Sequence, residues 1–409
     1  MRYTRPHAAS RLTALLQNNI SLFGKVNAST YAPSPHVDGQ GQVLGLFNYY
    51  NHPGTPALND LTIIEGSSAD NKAYRLPVQD LRKLSSPLSE YKHTKHGFQI
   101  MKQPLPIDPS PASVHNIKIM TDQYYPAMIA LLKEKLGVRS AIVRKHSLRD
   151  LPHFAPGDVD PKIGFEVPSL APFSIAHSDH TAGGARAHFR AMKQPDWFVE
   201  TGTEDGCTTS AEREEFFRLR RKIIAAEDRA IRDAGLDPDA NSGGRTSPQG
   251  GHWAWDGSNY EGPRYAYFSL WRSWETVERD PLAVMDMSTP TARDVEYVPL
   301  TRTYHHRPGC AQFFHSQNNL LRAPDFRSET TRDGMIQDND SGYHAWSYLS
   351  GQTPEEVYLI TFYDSQALIP DSKGQQSIQI ACPHTAFEIE GTKDAPFRRS
   401  CELRVWCIW

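Results

Sequence analysis

"ACPHTAFEIEGTKDAPFRRSCELRVWCIW", residues 381–409, decides how the rest of the chain is read. Apolar and polar positions alternate on either side of "EGTKDAP" (390–396), a turn-rich link between two short strands. His384 stands on the first strand, and Arg398-x-Ser400 opens the second 14 positions later. The spacing predicts a hairpin in which the last strand runs antiparallel beside the His384 strand, bringing Arg398 and Ser400 close to that histidine. A guanidinium fork with a hydroxyl beside it matches the distal carboxylate of a 2-oxo acid such as 2-oxoglutarate.

A histidine placed this way needs partners, and "PFSIAHSDHTAGG" (172–184) supplies two. On a strand, side chains alternate faces, so His177 and Asp179 point one way and His180 the other. Two histidines and one carboxylate on one face of an ion are the ligand set of non-haem iron(II) oxygenases, whose opposite face stays open for cosubstrate and dioxygen. H-x-D alone is weak in a chain with 17 histidines, and by itself reads first as a hydrogen-bonded strand end. The order H-x-D, distant His, R-x-S is far more specific, and it nominates His177, Asp179 and His384 as catalytic metal ligands, with Arg398 and Ser400 as cosubstrate contacts.

The chain has 409 residues, of which 39% are hydrophobic and 22% charged, enough for a large core in one elaborated domain or two. Net charge is -3 and the sequence pI is about 6.6, which argues against nucleic acid or an anionic membrane as partner. Mean hydropathy is -0.56, and no apolar run reaches the roughly 20 residues of a membrane span. The five cysteines (207, 310, 382, 401, 407) are scattered, without CxxC, and read as free thiols in a reducing, cytoplasmic setting. The first acidic residue is Asp38, after Arg2, Arg5 and Arg11, a faint resemblance to a transit peptide.

Residues 28–60 read as loop apart from "QVLGLFNYYN". "YYPAMIALLKEKLGV" (124–138) has helical spacing closed by Gly137, and "SAIVRKHSL" alternates like a strand. The clearest helix runs from a Thr209/Glu212 capping box to Gly235. Short strands separated by Pro, Gly and Asp fill the second half, which predicts an antiparallel sandwich or barrel. No GxGxxG, GxxxxGK[ST], GxSxG or HExxH occurs, so dinucleotide, P-loop, serine-esterase and zincin chemistries lack their motifs.

Six stretches resemble the gibberellin-desaturase-like and cephem-7-methoxylase-like oxygenases of fungi and bacteria: "GFQI" (97–100), "YYPAMIALLKEKLGVRSAIVRKHSLR" (124–149), "AHSDHT" (176–181), "LWRSWETVERDPLAVMDMSTPTARDVEYVPL" (270–300), "HAWSYLSGQTPEEVYLITFYDS" (344–365) and "PHTAFEIEGTKDAPFRRSCELR" (383–404). They follow the family's order and extend over most of residues 95–409. The resemblance implies a mainly β fold with flanking helices (α+β), a double-stranded β-helix of the jelly-roll, cupin-like kind. It further implies iron(II), 2-oxoglutarate and oxidative tailoring of small molecules in secondary metabolism. The expected organisation is an N-terminal extension, 1–95, packing on a 96–409 core with a helical insertion around 186–258. This chain departs from the family in apparent insertions near 186–258 and 302–340, and in Trp271-Arg272-Ser273 where Trp-Arg-Pro is common.

Other residues carry two readings each. Arg272, between Trp271 and Trp274, reads as a cosubstrate or substrate contact, or as a buried ion pair with Asp286 or Glu275. His344 competes with His384 as distal ligand, or sits hydrogen-bonded in an aromatic cluster. It lies 54 residues before Arg398, with strand-like runs between, which favours His384. Tyr363 or Asp364 reads as a pocket residue, or Asp364 as a strand-end cap; His305 and His306 read as structural or surface residues; "WAWDGSNYEG" (253–262) reads as a lid or a packed loop. The expected reaction converts 2-oxoglutarate to succinate and takes hydrogen from a small-molecule substrate, giving hydroxylation, desaturation or ring closure. The alternatives are a 2-oxoglutarate-independent iron oxidase and a non-catalytic metal-binding β-barrel. Partners are the substrate and dioxygen, and self-association as a homo-oligomer stays open.

Overall fold

Strand formation is dictated most plainly where every residue is buried. "YAYFSLWRS", rich in aromatic residues, and "EVYLITFYD", rich in aromatic and β-branched ones, become strands covered on both faces. The computed structural model describes residues 43–54, 56, 70–151, 170–192, 209–239, 251–289, 292, 295–305, 313–322, 344–370 and 381–409. In chain order the strands are β1 (Val43–Tyr50), β2 (Asn71–Asp80), β3 (Phe98–Lys102), β4 (Ser140–Arg149), β5 (His177–Ser178), β6 (Tyr265–Ser273) and β7 (Leu282–Met285). There follow β8 (Tyr297–His305), β9 (Phe313–Leu321), β10 (Trp346–Tyr348), β11 (Glu356–Asp364), β12 (His384–Ala386), β13 (Glu388–Ile389) and β14 (Ser400–Ile408).

They form a nine-stranded sheet, β13-β1-β2-β10-β7-β12-β5-β9-β8, and a five-stranded sheet, β3-β11-β6-β14-β4. All named strand pairs are antiparallel except β2 with β10. β1 and β2, from within the expected N-terminal extension, are hydrogen-bonded members of the larger sheet.

The expected hairpin of β12 and β14 does not form. Both edges of β12 are taken, by β5 and β7, while β14 lies in the five-stranded sheet between β6 and β4. "EGTKDAP" is therefore a crossover between sheets. Turn residues mark where a chain reverses, but a hairpin and an arch between sheets about 10 Å apart use the same vocabulary.

The parity of β14 sorts the core. Cys401, Leu403, Val405 and Cys407 face one apolar cluster that includes Met128, Ile129, Leu131 and Leu132. Those four belong to helix α1 (Tyr125–Leu136), which has Pro126 in its first turn and ends on Gly137 in the left-handed region. Trp406 and Ile408 face the other cluster, with Tyr265, Tyr267, Trp271 and Phe362. The second cluster also holds Leu282 and Val284 of β7 in the larger sheet. Ser400, Glu402 and Arg404 share the Trp406 face by alternation.

Helix α2 (Ala182–Ala191) starts directly after the His-Ser-Asp-His run, with Thr181 Oγ1 accepting from the Gly184 N–H at 2.9 Å. Gly183 permits that placement, since a Cβ there would stand 2.8 Å from the Trp253 ring. Helix α3 (Ser210–Asp233) has the expected cap, Thr209 Oγ1 accepting from Glu212 N at 3.2 Å, and buries Phe216, Phe217, Ile223 and Ile231. Among the described residues no helix is long and apolar enough to cross a membrane.

Candidate metal centre

His177 and His384 are direct cross-strand partners on the antiparallel pair β5 and β12, so their side chains leave the sheet on the same face. Their rings lie 4.4 Å apart. Asp179, just beyond β5, brings Oδ2 to 3.1 Å from His384 Nε2 and 3.8 Å from His177 Nε2. All three residues are buried, and each offers one ligand atom within 4.8 Å of the others. Neither His180 nor His344 belongs to this group.

The backbone orients both imidazoles. His177 Nδ1 lies 2.8 Å from the Ile175 carbonyl, and His384 Nδ1 lies 3.0 Å from the Cys382 carbonyl. A carbonyl only accepts, so each Nδ1 carries a proton and each Nε2 points to the centre, where the neutral ring would offer its lone pair to a metal. Burial and the neighbouring His384 push the His177 pKa down to about 3, with Asp179 partly opposing, so this ring is neutral and able to ligate. Burial alone would raise the Asp179 carboxyl, but the Arg404 guanidinium, followed by the two histidines, holds it well below the usual carboxylate range.

Arg404 was not legible as a site residue. Its Nη2 donates to Asp179 Oδ1 at 2.8 Å and its Nε to Glu402 Oε1 at 2.5 Å. Arg149 of β4 is also new: its Nη2 lies 3.8 Å from Glu402 Oε2 and its guanidinium 5.9 Å from the Phe173 ring, which stands 4.2 Å from the His177 ring. The signal available was alternation after R-x-S, since 400, 402 and 404 share a face.

Arg398 and Ser400 sit at the start of β14. Arg398 is buried, stacked 4.8 Å from the Trp271 ring, and its Nη1 donates to the Asp280 carbonyl at 2.6 Å. Asp280 leads into β7, whose Val284 pairs with His384, so this contact ties β14 to the strand beside a ligand although the two strands belong to different sheets. Among the described residues, Arg398 Nε and Ser400 Oγ are buried with no hydrogen-bond partner. Burial lowers the Arg398 pKa to about 9, with Asp280 opposing and Arg149 contributing. Buried donors left unused call for an explanation, and an arriving anion is one that would take them; Arg272 Nε is another such donor.

Arg272 is not brought to this face. It lies on the opposite side of β6 from Trp271, 5.9 Å from the Tyr124 ring, donating to the carbonyls of Pro104 (3.4 Å) and Gln103 (3.3 Å). Backbone carbonyls, in place of Asp286 or Glu275, satisfy part of its charge. His180 is buried beside Tyr267, His188 and Phe362. His344 lies 2.9 Å from Tyr49 Oη through Nδ1, next to the Trp346 ring, and burial lowers its pKa to about 4. Asp364 caps the turn after β11 by accepting from Gln366 N and pairs with Arg264, while Tyr363 Oη lies 3.1 Å from Tyr265 Oη. Residues 253–262 pack down, Trp255 Nε1 donating to Asn259 and the Trp255 ring lying 5.1 Å from Arg186. His306 and the side chain of His305 lie outside the described residues.

Fold and site together define a class: a β-rich protein, cupin-like in its curled, largely antiparallel sheets, with a buried two-histidine, one-carboxylate centre on one face of two neighbouring strands. A similar fold is seen in the solved iron and alpha-ketoglutarate-dependent endoperoxidase NvfI, at TM-score 0.51 and 16% identity over 90% of this chain and 98% of that one. The chain belongs to the family described as Oxidoreductase/YMDC permease-like domain (YDMC), matched over residues 47–200 and 252–408. It is 25% identical to the oxidoreductase chry3 of Gibberella zeae over 403 residues, 93% of this chain and 100% of that one. It is 23% identical to the gibberellin cluster GA4 desaturase of Gibberella fujikuroi, over 90% of this chain and 96% of that one.

Proposed function

We propose that this oxidoreductase is an iron(II)- and 2-oxoglutarate-dependent oxygenase that oxidises a small molecule of secondary metabolism with dioxygen. The observation that carries the reading is the pairing of two features across the sheets. One is a two-imidazole, one-carboxylate ligand set; the other is a buried guanidinium and hydroxyl with donors unused among the described residues. His177, Asp179 and His384 would hold the metal, and Arg398 with Ser400 would take the far carboxylate of 2-oxoglutarate. Arg272 supports that ligand only indirectly, by packing under β6.

When bound, iron(II) with dioxygen and 2-oxoglutarate supplies the oxidising chemistry, with succinate and carbon dioxide as coproducts. The chain's own work is positional. Two backbone carbonyls aim the imidazoles, Arg404 holds Asp179, and the facing sheets exclude water from the centre. The reading extends to organisation: a double-stranded β-helix jelly roll over 96–409, carrying a helical insertion around 186–258 that includes α3, with β1 and β2, from before residue 96, joining the larger sheet. The buried free thiols Cys382, Cys401 and Cys407 support a cytoplasmic setting.

A 2-oxoglutarate-independent oxidase would leave the Arg398 and Ser400 donors as a standing cost with no return. The test is direct: protein with iron(II), ascorbate and dioxygen is expected to form succinate from 2-oxoglutarate slowly even without substrate. If iron binds and no succinate forms under any condition, the cosubstrate assignment fails.

A further inference from the structure

The centre has a support that the ligand set alone does not require. Arg404 extends from β14 across the gap between sheets and spends its two edges on different carboxylates, Nη2 on Asp179 Oδ1 (2.8 Å) and Nε on Glu402 Oε1 (2.5 Å). Glu402 is steadied in turn by Arg149 at 3.8 Å. The Arg404 guanidinium also lies 5.3 Å over the Phe362 ring, and that ring stacks on His384 at 5.6 Å with an interplanar angle of 10°. One arginine therefore braces two of the three ligands from the opposite sheet. It grips Asp179 through a charge-assisted bond and backs His384 through an interposed aromatic ring.

We infer that Arg404 is a positioning residue that makes Asp179 a one-oxygen ligand and so keeps a coordination position open for the cosubstrate. On the reading of the centre given above, this role follows from the atoms. With Oδ1 held by Arg404, only Oδ2 faces the two Nε2 atoms. An octahedral ion that takes one atom from each of the three residues keeps half of its positions free, room for a chelating 2-oxo acid and dioxygen together. A carboxylate released from Arg404 can turn and bind through both oxygens, closing one of those positions. Lysine cannot reproduce the brace, because a single ammonium does not present two parallel edges to two carboxylates.

The test separates this role from mere structural support. Mn(II) affinity is measured by electron paramagnetic resonance titration, and 2-oxoglutarate affinity by calorimetry on the Mn(II)-loaded protein. For Arg404→Met, Mn(II) is expected to bind at least as tightly as in the wild type, because a positive charge beside the cation has gone. 2-Oxoglutarate is expected to bind the loaded variant at least ten-fold more weakly, and the carboxylate-stretch difference spectrum on loading should shift toward a two-oxygen ligand. Arg404→Lys keeps the charge and should also lose 2-oxoglutarate affinity; it remains decisive if the methionine variant does not fold. Wild-type 2-oxoglutarate affinity in Arg404→Lys would overturn the inference, as would Mn(II) and 2-oxoglutarate affinity falling together. A wild-type protein that binds no Mn(II) would instead sink the underlying reading of the centre.

Discussion

Replacing Arg398 by methionine is expected to weaken 2-oxoglutarate binding without weakening the fold. In the cosubstrate-free protein this guanidinium is buried, with burial depressing its pKa to about 9, which at order of magnitude is a few kcal/mol against keeping the charge there. Two contacts offset that cost. The hydrogen bond to the Asp280 carbonyl contributes about 1.5–3 kcal/mol, and the Trp271 ring about 1–2 kcal/mol. Methionine fills similar volume and removes cost and offsets together, so stability should change by no more than about 2 kcal/mol. Binding behaves differently. The cosubstrate loses a charge-assisted partner worth about 1.5–3 kcal/mol, a rise in Kd of roughly 10- to 150-fold. Thermal unfolding of the Mn(II)-loaded protein with and without 2-oxoglutarate reads both quantities. At 100 times its Kd the cosubstrate should add about 2.7 kcal/mol to the wild type, and much less at the same concentration to the variant. A large loss of stability without cosubstrate would show that Arg398 is a structural strut. Unchanged cosubstrate stabilisation would show that the carboxylate binds elsewhere.

Alanine at His177, Asp179 or His384 should abolish Mn(II) binding and succinate formation together, whereas His180→Ala should keep the metal; titration that finds the reverse pattern refutes the assignment. His344→Ala should also keep the metal, but should lose about 1–3 kcal/mol in urea unfolding, because it strips a partner from the buried Tyr49 hydroxyl. Stability should fall as pH drops from about 6.5 toward 4: His344 and His146 have folded pKa values near 4, so below the unfolded value the unfolded chain binds protons that the folded chain refuses. The slope is up to about 1.4 kcal/mol per pH unit per histidine, and a His146→Gln/His344→Gln variant should flatten it in urea midpoints measured across that range. Gly257→Ala should destabilise by at least about 1 kcal/mol in the same assay, since φ is +84° and a Cβ would meet Leu368 Cδ1 at 2.4 Å.

Much of this was legible because periodicity and burial agree. "YAYFSLWRSW" and "EEVYLITFYDS" have strong strand propensity and no competing helical period, and they emerge as β6 and β11. The Thr209/Glu212 box fixes the start of α3 to the residue. His177, Asp179 and His384 come together because strand parity, which the sequence encodes, sets their faces. Pairing across the gap between sheets is a different matter. It follows from sheet order, and local sequence carries no record of which strand lies opposite which. That is why β14 was expected beside β12, and why Arg404, whose role exists only across that gap, was missed. Arg272 failed for a related reason. Its apolar neighbours established burial, but on a strand buried on both faces burial does not say which face a side chain takes.

The membership of β1 and β2 in the nine-stranded sheet changes what cutting the chain would do. β2 covers the edge of β10, and β1 covers both β2 and β13. A chain trimmed at residue 95 to isolate the oxygenase core would bare the backbone of β10 and β13, together with Phe387 and Trp346, which now stack on Phe47. Unpaired strand edges flanked by naked aromatic rings recruit other strands. The trimmed protein would be expected to precipitate, and its loss of turnover would be mistaken for the loss of a catalytic residue.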